Sequence, residues 1–549
     1  MRPVTRLKWL PVGLIAALHL AVALHAVQLA VGPWRAVGQT YGEGWGRQFV
    51  TMQAVRWAQG VAPLGWADLL AAPDGRTFWP VDPITQLVSV PIAAATDSAT
   101  ALLVAMIILL WTAGFGPALL ARTLGARWLG AALAGLLIQT TPLLLDNAAD
   151  VILETLAFGP LAWVVGATRA AWHQPRWTGQ LHAGVAWAVL AGTSPYAALS
   201  AGIALGGVLL WTGPLRGLPT LSAAAIGAGL MLMPLVLAET GPGGRLTQNT
   251  GDAGYALIPG DLVRIDQGRF VPVDRPTLPV LPDIRAPATP APLRDPVPAG
   301  TALLLAGLLG LTHRRARPWV LLGAGFLVLG PGPALLARQL HWGTLPLMGL
   351  LGKVLELLPF GASLGNGSRL LVPWILAAAV GGAIGARRGL RMAVLVGAAA
   401  LSIAQARPKW PLPASWLPGP LPPASLTAGP LTVFPSGDPP WWHPAVAPKE
   451  SLWIAGQMGT PVAFDYGRGG TPADRELMLQ LAAASGVPVG RDALKQGLPP
   501  VTIQWGPSVG VLVLRDRLDA GAAAKLELFL EAHAQRLWTG QRTELWVPR

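Results

Sequence analysis

Residues 145–160 read LDNAADVILETLAFGP and stand between two long apolar stretches. Asp146, Asp150 and Glu154 fall four residues apart. On one continuous helix that spacing would stack three carboxylates on one face, where like charges repel by a few tenths of a kcal/mol per pair in water and by more in a dry setting. Whether this stripe lies in water, in lipid or at the boundary between them decides the fold, and its flanks give the answer.

Those flanks are lipid-like. The chain has 549 residues, 52% hydrophobic and 12% charged, with a mean hydropathy of +0.48, which argues against a soluble globular protein. Apolar windows closed by polar stops give about eleven candidate spans for a hydrocarbon core of about 30 Å. They lie near residues 9–31, 99–121, 128–145, 151–168, 183–194, 196–213, 219–238, 299–313, 318–337, 369–386 and 390–405, of which 183–194 and 299–313 are short. The first window follows MRPVTRLK and exceeds a signal-peptide core of roughly 7–15 residues, so it is read as a retained span.

Charge sets the orientation, because short loops rich in Lys and Arg stay in the cytoplasm. Arg2, Arg6 and Lys8 precede the first span, and every second loop thereafter is basic: Arg122 and Arg127, Arg169 and Arg176, Arg216, Arg314 to Arg317, then Arg387, Arg388 and Arg391. The expected protein is thus multi-pass in the cytoplasmic (inner) membrane, with a cytoplasmic N-terminus and an extracytoplasmic C-terminal domain. The net charge of +13 does not indicate nucleic acid, since the arginines punctuate apolar runs instead of forming a patch interleaved with aromatics. The lack of cysteine excludes disulfides, thiolate metal sites and a cysteine nucleophile.

Residues 1–405 then form a transmembrane domain with outer loops at 32–98, 239–298 and 338–368. A Pro-rich linker, WPLPASWLPGPLPPASL within 406–430, leads to residues 431–549, where strand-like LTVFP, PVAFDY, VTIQW and VGVLVLRD alternate with helix-like ADRELMLQLAAAS and AGAAAKLELFLEAHAQRL. That alternation predicts a small α/β domain. The fold class expected is an α-helical polytopic membrane protein carrying this α/β domain.

The acidic stripe falls at the outer end of a span. Asp146 and Asp150 there also fit an ordinary polar loop and helix cap. Glu154 lies a turn inside the apolar run, where an ionised side chain is costly unless a cavity, a cation or a partner receives it; a water-filled cavity is the expectation. Glu43 in GEGW is flanked by glycines that allow close backbone approach, though a solvated loop acid fits equally. Asp68, Asp74 and Asp82 share its loop, with Asp74 in PDGR read as a turn residue. In TLPLMGLLGKVLELLPFGASLGNGSRLLVPW, residues 344–374, Lys353 and Glu356 interrupt an amphipathic segment. Arg369 opens the next span from outside, against the charge rule; it either snorkels to headgroups or pairs with a phosphate. Gly381, Gly382 and Gly385 mark close helix packing. Phosphate-loop, HExxH and zinc-spaced His/Cys patterns are absent from the sequence.

The order of parts resembles the GT-C superfamily of polytopic glycosyltransferases, and more specifically the large bacterial group with a C-terminal extracytoplasmic domain. APDGRTFWPVDP is similar to that group's first loop, and LPFGASLGNGSRLLVPW to its proline-to-arginine segment, with Arg369 at the matching arginine. LTVFPSGDPPWWHP with WIAGQMGTPVAFDYGR resembles the opening of its outer domain, and VGVLVLRDRL with ELWVP its close. The early-loop acid is usually Asp in that group and is Glu43 here, and Leu364 and Asn366 stand near the place of an upstream arginine.

The resemblance implies transfer of a sugar from a polyprenyl-phosphate donor to a glycan, lipid or protein acceptor in envelope assembly, at the outer face. Under it Glu43 is the expected base, Asp150 and Glu154 hold acceptor or ion, and Arg369, with Lys353 and Asp146 as further candidates, meets phosphate or substrate. A divalent cation such as Mg²⁺ or Mn²⁺ is left open. Two alternatives remain: a transporter or flippase whose intramembrane acids line a path, and a catalytically degenerate scaffold, for which Glu43 in place of Asp speaks.

Overall fold

The computed structural model describes residues 9–32, 35–38, 44–69, 76–173, 176–212, 214–240, 300–329, 371–407, 410–416, 421–426, 429–434, 449–458, 464–465, 469–470, 472–486, 503, 505, 508–515 and 518–549. Glu43, Asp74, Lys353, Glu356, Leu364, Asn366 and Arg369 lie outside them, as does nearly all of the loops at 239–298 and 338–368.

Most of the apolar stretches become helices, but the window at 128–145 breaks between Gln139 and Pro142 and the one at 151–168 becomes an α-helix only from Phe158. The helical block comprises α1 (Trp9–Val27), α4 (Ser98–Thr123), α5 (Trp128–Gln139), α6 (Pro142–Ala149), α7 (Phe158–His173), α8 (Trp177–Thr193), α9 (Pro195–Thr212), α10 (Pro214–Thr240), α11 (Thr301–Leu311), α12 (Arg317–Leu329), α13 (Leu371–Gly385) and α14 (Leu390–Ala406). Residues 32–98 supply strand β1 (Arg35–Val37), helix α2 (Gly44–Ala58), the short hairpin β2 (Trp66–Ala67) and β3 (Arg76–Thr77), and helix α3 (Pro83–Ala95).

By length and composition three described helical stretches can cross a membrane, Trp9–Ala30, Ser98–Thr123 and Gly217–Ala238. The pair α5 and α6, bent by 46°, makes a fourth if it is one broken span. On α10, Ile226, Leu230, Met233 and Leu237 are exposed at helical spacing, a stripe suited to lipid. The protein is an integral membrane protein.

Small residues bring the helices together. A Cβ on Gly382 would lie 2.8 Å from the Ala306 carbonyl oxygen, and one on Gly385 would lie 2.6 Å from that of Leu309. α13 therefore packs backbone to backbone on α11, as expected of these glycines. A polar clamp ties α1, α4 and α5: Gln139 Nε2 donates to the carbonyls of Leu110 (2.8 Å) and His19 (3.1 Å), and its Oε1 meets His19 Nδ1 at 2.6 Å. At the arginine-bearing turns, burial and then Arg387, Arg315 and Arg391 lower the pKa of His313, which places turns 312–316 and 386–389 side by side.

Beyond α14 the chain returns to its start. β4 (Ala414–Trp416) pairs antiparallel with β1, Ala36 opposite Ser415, and the Leu412 N–H donates to the Ala26 carbonyl at 2.8 Å. Part of the expected linker is therefore structured against the first loop. The rest builds a four-stranded sheet of β5 (Leu431–Phe434), β8 (Gly510–Leu514), β10 (Thr543–Pro548) and β9 (Ala534–Thr539), in that spatial order, β5 parallel to β8 and the other pairs antiparallel. Between β5 and β8 come α15 (Lys449–Met458), a minimal hairpin of β6 (Phe464–Asp465) and β7 (Gly469–Gly470), and α16 (Pro472–Ser485); α17 (Ala520–His533) precedes β9.

Alternation along the strands gives the sheet two apolar faces. Phe434, Val511, Val513 and Trp546 pack on α16 and α17. Leu431, Val433, Leu512, Leu514 and Leu545 pack on Trp453, Ile454 and Met458 of α15 and on Trp45 of α2. One expectation is corrected here. AGAAAKLELFLEAHAQRL reads as helix throughout, but the chain switches to strand at Ala534, because residues 534–539 find a ladder partner in β10 that outweighs their helical pattern.

Candidate functional site

α2 is short on apolar periodicity yet buried along most of its length, so it must satisfy polar groups on more than one side. One side carries Arg47 and Thr51, a helical turn apart. Arg47 Nη1 donates to Asp82 Oδ1 at 3.1 Å, and its Nη2 donates to Glu154 Oε2. Thr51 Oγ1 lies 2.9 Å from Gln86 Oε1, and Gln86 Nε2 reaches Asp82 Oδ1 at 3.5 Å. Asp82 precedes α3 and Gln86 lies one turn inside it, so the first loop supplies the cation and one anion while the segment after α6 supplies the other.

The cluster is dry. Arg47, Asp82 and Glu154 are all buried, so one guanidinium serves two carboxyl groups. Burial pushes the Asp82 carboxyl above its ordinary pKa and repulsion from Glu154 adds to this, while Arg47 and the bond from Gln86 pull the other way. Asp82 Oδ2 and Thr85 Oγ1 are buried without a hydrogen-bond partner among the described residues, two polar atoms a turn apart that a ligand hydroxyl would satisfy.

The stripe that opened the sequence is not a stripe. α6 begins with Thr141, whose hydroxyl accepts from the Leu144 N–H, and with Pro142; it stops at Ala149, with Asp150 as its C-cap. Val151 then takes φ +59°, a left-handed conformation unfavourable for a β-branched residue. Glu154 follows in a separate 3₁₀ turn, Leu153–Leu156, and the next helix starts only at Phe158. The three acids therefore occupy three backbone settings. Glu154 does not line the expected water-filled cavity: it is buried and bonded to Arg47, because a carboxylate at this depth is accommodated better by a guanidinium.

The strained turn is gripped by the first loop. Gly38, at φ +100°, lies so close to Val151 that any Cβ would overlap the valine methyl, and a Cβ on Gly44 would lie 3.3 Å from the same group. Asp150, adjacent to Val151, is buried, and Asp146 is half-buried. Of the sequence-predicted residues, Glu154 is thus placed in a cluster, and Asp150 caps the helix before it. Glu43, Lys353 and Arg369 lie outside the described residues.

Arg47 and Asp82 were not singled out by sequence, although both fall in stretches it flagged. The available signal was charge balance: a glutamate inside an apolar run calls for a cation from another segment, and residues 32–98 hold four arginines, Arg35, Arg47, Arg56 and Arg76. Arg56 instead pairs with Asp68 at 2.7 Å, half-exposed.

Among the described residues no three His, Cys, Asp or Glu side chains gather to hold a metal, and Asp82 and Glu154 already face a guanidinium that would repel a second cation at contact distance.

No family model matches the chain, and no curated protein sequence is similar to it. Its fold does have solved relatives. The arabinofuranosyltransferase AftD from mycobacteria aligns with a TM-score of 0.53 at 13% identity, over 99% of this chain and 42% of that one. The oligosaccharyltransferase of Archaeoglobus fulgidus aligns in its apo form at 0.39 and 15% identity, over 90% of this chain and 60% of that one. The oligosaccharyltransferase AglB from Archaeoglobus fulgidus, in complex with an inhibitory peptide and a dolichol-phosphate, aligns at 0.42 and 13%, over 99% and 74%. These neighbours are GT-C glycosyltransferases. At such identities the likeness to the arabinofuranosyltransferase is one of fold, and this chain spans less than half of that protein's length.

Proposed function

We propose that this chain is a membrane glycosyltransferase that moves a sugar from a polyprenyl-phosphate donor to an acceptor at the extracytoplasmic face of the cytoplasmic membrane. The observation that carries the proposal is the buried Arg47–Asp82–Glu154 cluster, built where a long loop meets a broken span in a fold shared with a sugar transferase. Eleven spans, a cytoplasmic N-terminus and an outer sheet domain complete the picture. Arginines at 122–127, 169–176, 314–317 and 387–391 on alternate turns support that orientation.

Single-displacement transfer needs a base for the acceptor hydroxyl proton and positive charge for the departing phosphate. Glu43 is the base in this scheme, the role that the resemblance assigns to the early-loop acid. Asp150 orients the acceptor. Arg47 fixes the Asp82 and Glu154 carboxylates in place, and Asp82 Oδ2 with Thr85 Oγ1 receives a sugar hydroxyl. Arg369 and Lys353 supply the positive charge that meets the phosphate, and Asp146 is a further substrate contact.

The test is purified protein in lipid nanodiscs, offered polyprenyl-phosphate-linked arabinofuranose, mannose and glucose, with release of polyprenyl phosphate as readout. Release that drops at least a hundredfold in Glu43→Gln and Arg47→Gln is expected, a loss of about 2.7 kcal/mol in transition-state stabilisation. Turnover unchanged in both variants, or carrier movement across sealed vesicles without cleavage, would overturn the proposal.

A further inference from the structure

The face of α2 turned away from the acids is occupied by the C-terminal region. Gln48, next in chain to Arg47, is fully buried, and its Oε1 accepts two bonds, from Trp453 Nε1 at 3.0 Å and from Ser98 Oγ at 3.1 Å. Trp45 stands edge-on to Trp453 with ring centroids 5.7 Å apart. Met52 fills the space left by Gly456 on α15, its Sδ 3.1 Å from where a Cβ would stand. Gln457 Nε2 reaches Met52 Sδ at 3.2 Å and Ser98 Oγ at 3.4 Å. Trp45, Gln48 and Met52 thus face α15, as Arg47 and Thr51 face the acids.

We propose that Gln48 and Trp453 are positioning residues, through which α15 of the C-terminal domain fixes the rotation of α2 and hence the aim of Arg47 at Asp82 and Glu154. The inference rests on the glycosyl-transfer reading of that cluster. The geometry makes the lever short and stiff. A guanidinium about 7 Å from the helix axis moves about 1 Å when the helix turns about 10°, and misplacement on that scale costs about a hundredfold in rate. The two bonds to Gln48 saturate a buried carboxamide oxygen, so losing one releases the helix from a defined angle. The C-terminal domain is then a working part of the site, not a module attached to it.

Trp453→Phe removes the N–H and keeps a ring. In the full-length protein it is expected to lower kcat ten- to a hundredfold with KM little changed, to leave the melting temperature within about 3 °C, and to speed hydrogen exchange of the amides of residues 47–52. A second variant restores the angle by other means. A Gly456 Cβ would lie 3.4 Å from Met52 Cβ, near the span of a disulfide, and the chain has no cysteine of its own. Met52→Cys with Gly456→Cys, added to Trp453→Phe and oxidised, is expected to recover slow exchange and most of kcat, and to lose both on reduction. Unchanged exchange in Trp453→Phe overturns the positioning role even if no donor is turned over, and slow exchange with kcat still low in the oxidised triple variant overturns it as well. Absence of turnover in the wild-type protein, with the exchange effects present, would strike only the glycosyl-transfer reading.

Discussion

Among the described residues two clusters join arginines to more than one carboxylate, and they obey different physics. In the sheet, Arg515 and Arg536 meet Glu527 and Glu544 through four contacts of 2.8 to 3.2 Å. Both arginines are more than a third exposed, at 38% and 36%, and Glu527 is 27% exposed, so although Glu544 is buried at 3% each pair has one end in solvent. At the site, Arg47 meets Asp82 and Glu154 with side-chain exposures of 9%, 0% and 8%. The sheet network has more contacts, and the site cluster has more at stake. Water and salt screen the first to a fraction of a kcal/mol per pair, whereas removing one partner of the second strands a charge in a dry setting.

The most severe break is Arg47→Leu. It leaves Asp82 and Glu154 facing each other without a cation and should destabilise the fold by about 3–5 kcal/mol, as well as abolish turnover; denaturation in nanodiscs reads the first and donor cleavage the second. A loss under about 1 kcal/mol would mean that the site is as wet as the sheet network.

Next comes Gly38→Ala, which adds a methyl where Val151 already packs and at a φ unsuited to alanine. It should cost about 1–3 kcal/mol and reduce activity by moving the first loop off the turn at Asp150. Normal thermal stability in this variant would show that the loop is not pressed against that turn.

A pH series sharpens the comparison further. Because burial raises the folded-state pKa of Asp82, the fold favours its protonated form. That contribution is complete below the ordinary aspartate value of about 3.9 and is lost as pH rises through the folded-state value. The stability of wild type relative to Asp82→Asn should therefore fall with increasing pH, measured by urea unfolding at a series of pH values. A relative stability that rises with pH would show that Arg47 outweighs burial.

The smallest effect belongs to the sheet. Arg536→Ala should cost less than about 1 kcal/mol, and that cost should shrink further at high salt. A salt-independent loss would place weight on its stacking over Trp546, whose ring centroid lies 5.1 Å away.

What could be read beforehand followed the same division. Helix positions were legible because each is written in one local run: the windows at 99–121 and 390–405 match α4 and α14 closely. Sheet strands at LTVF and GVLVL were legible for the same reason. The turn at 150–156 was not, since nothing local to Val151 announces a left-handed residue; Gly38 and Gly44, more than a hundred positions away, press on it. Glu154 was recognised as costly and given water as its remedy, when the remedy was Arg47 from another segment. Ion pairs join residues by charge and distance in space, and a single sequence records only the charge.

The pairing of β1 with β4 has a consequence for synthesis. Translation reaches Ala414 only after every helix of the bundle has been made, so β1 waits without its ladder partner while the intervening chain is inserted. Closure of that two-stranded seam, and the arrival of α15 behind it, come only after the bundle. A nascent chain that stops short of these residues would carry Arg47, Asp82 and Glu154 yet lack both the β1 ladder partner and the α15 contacts on α2.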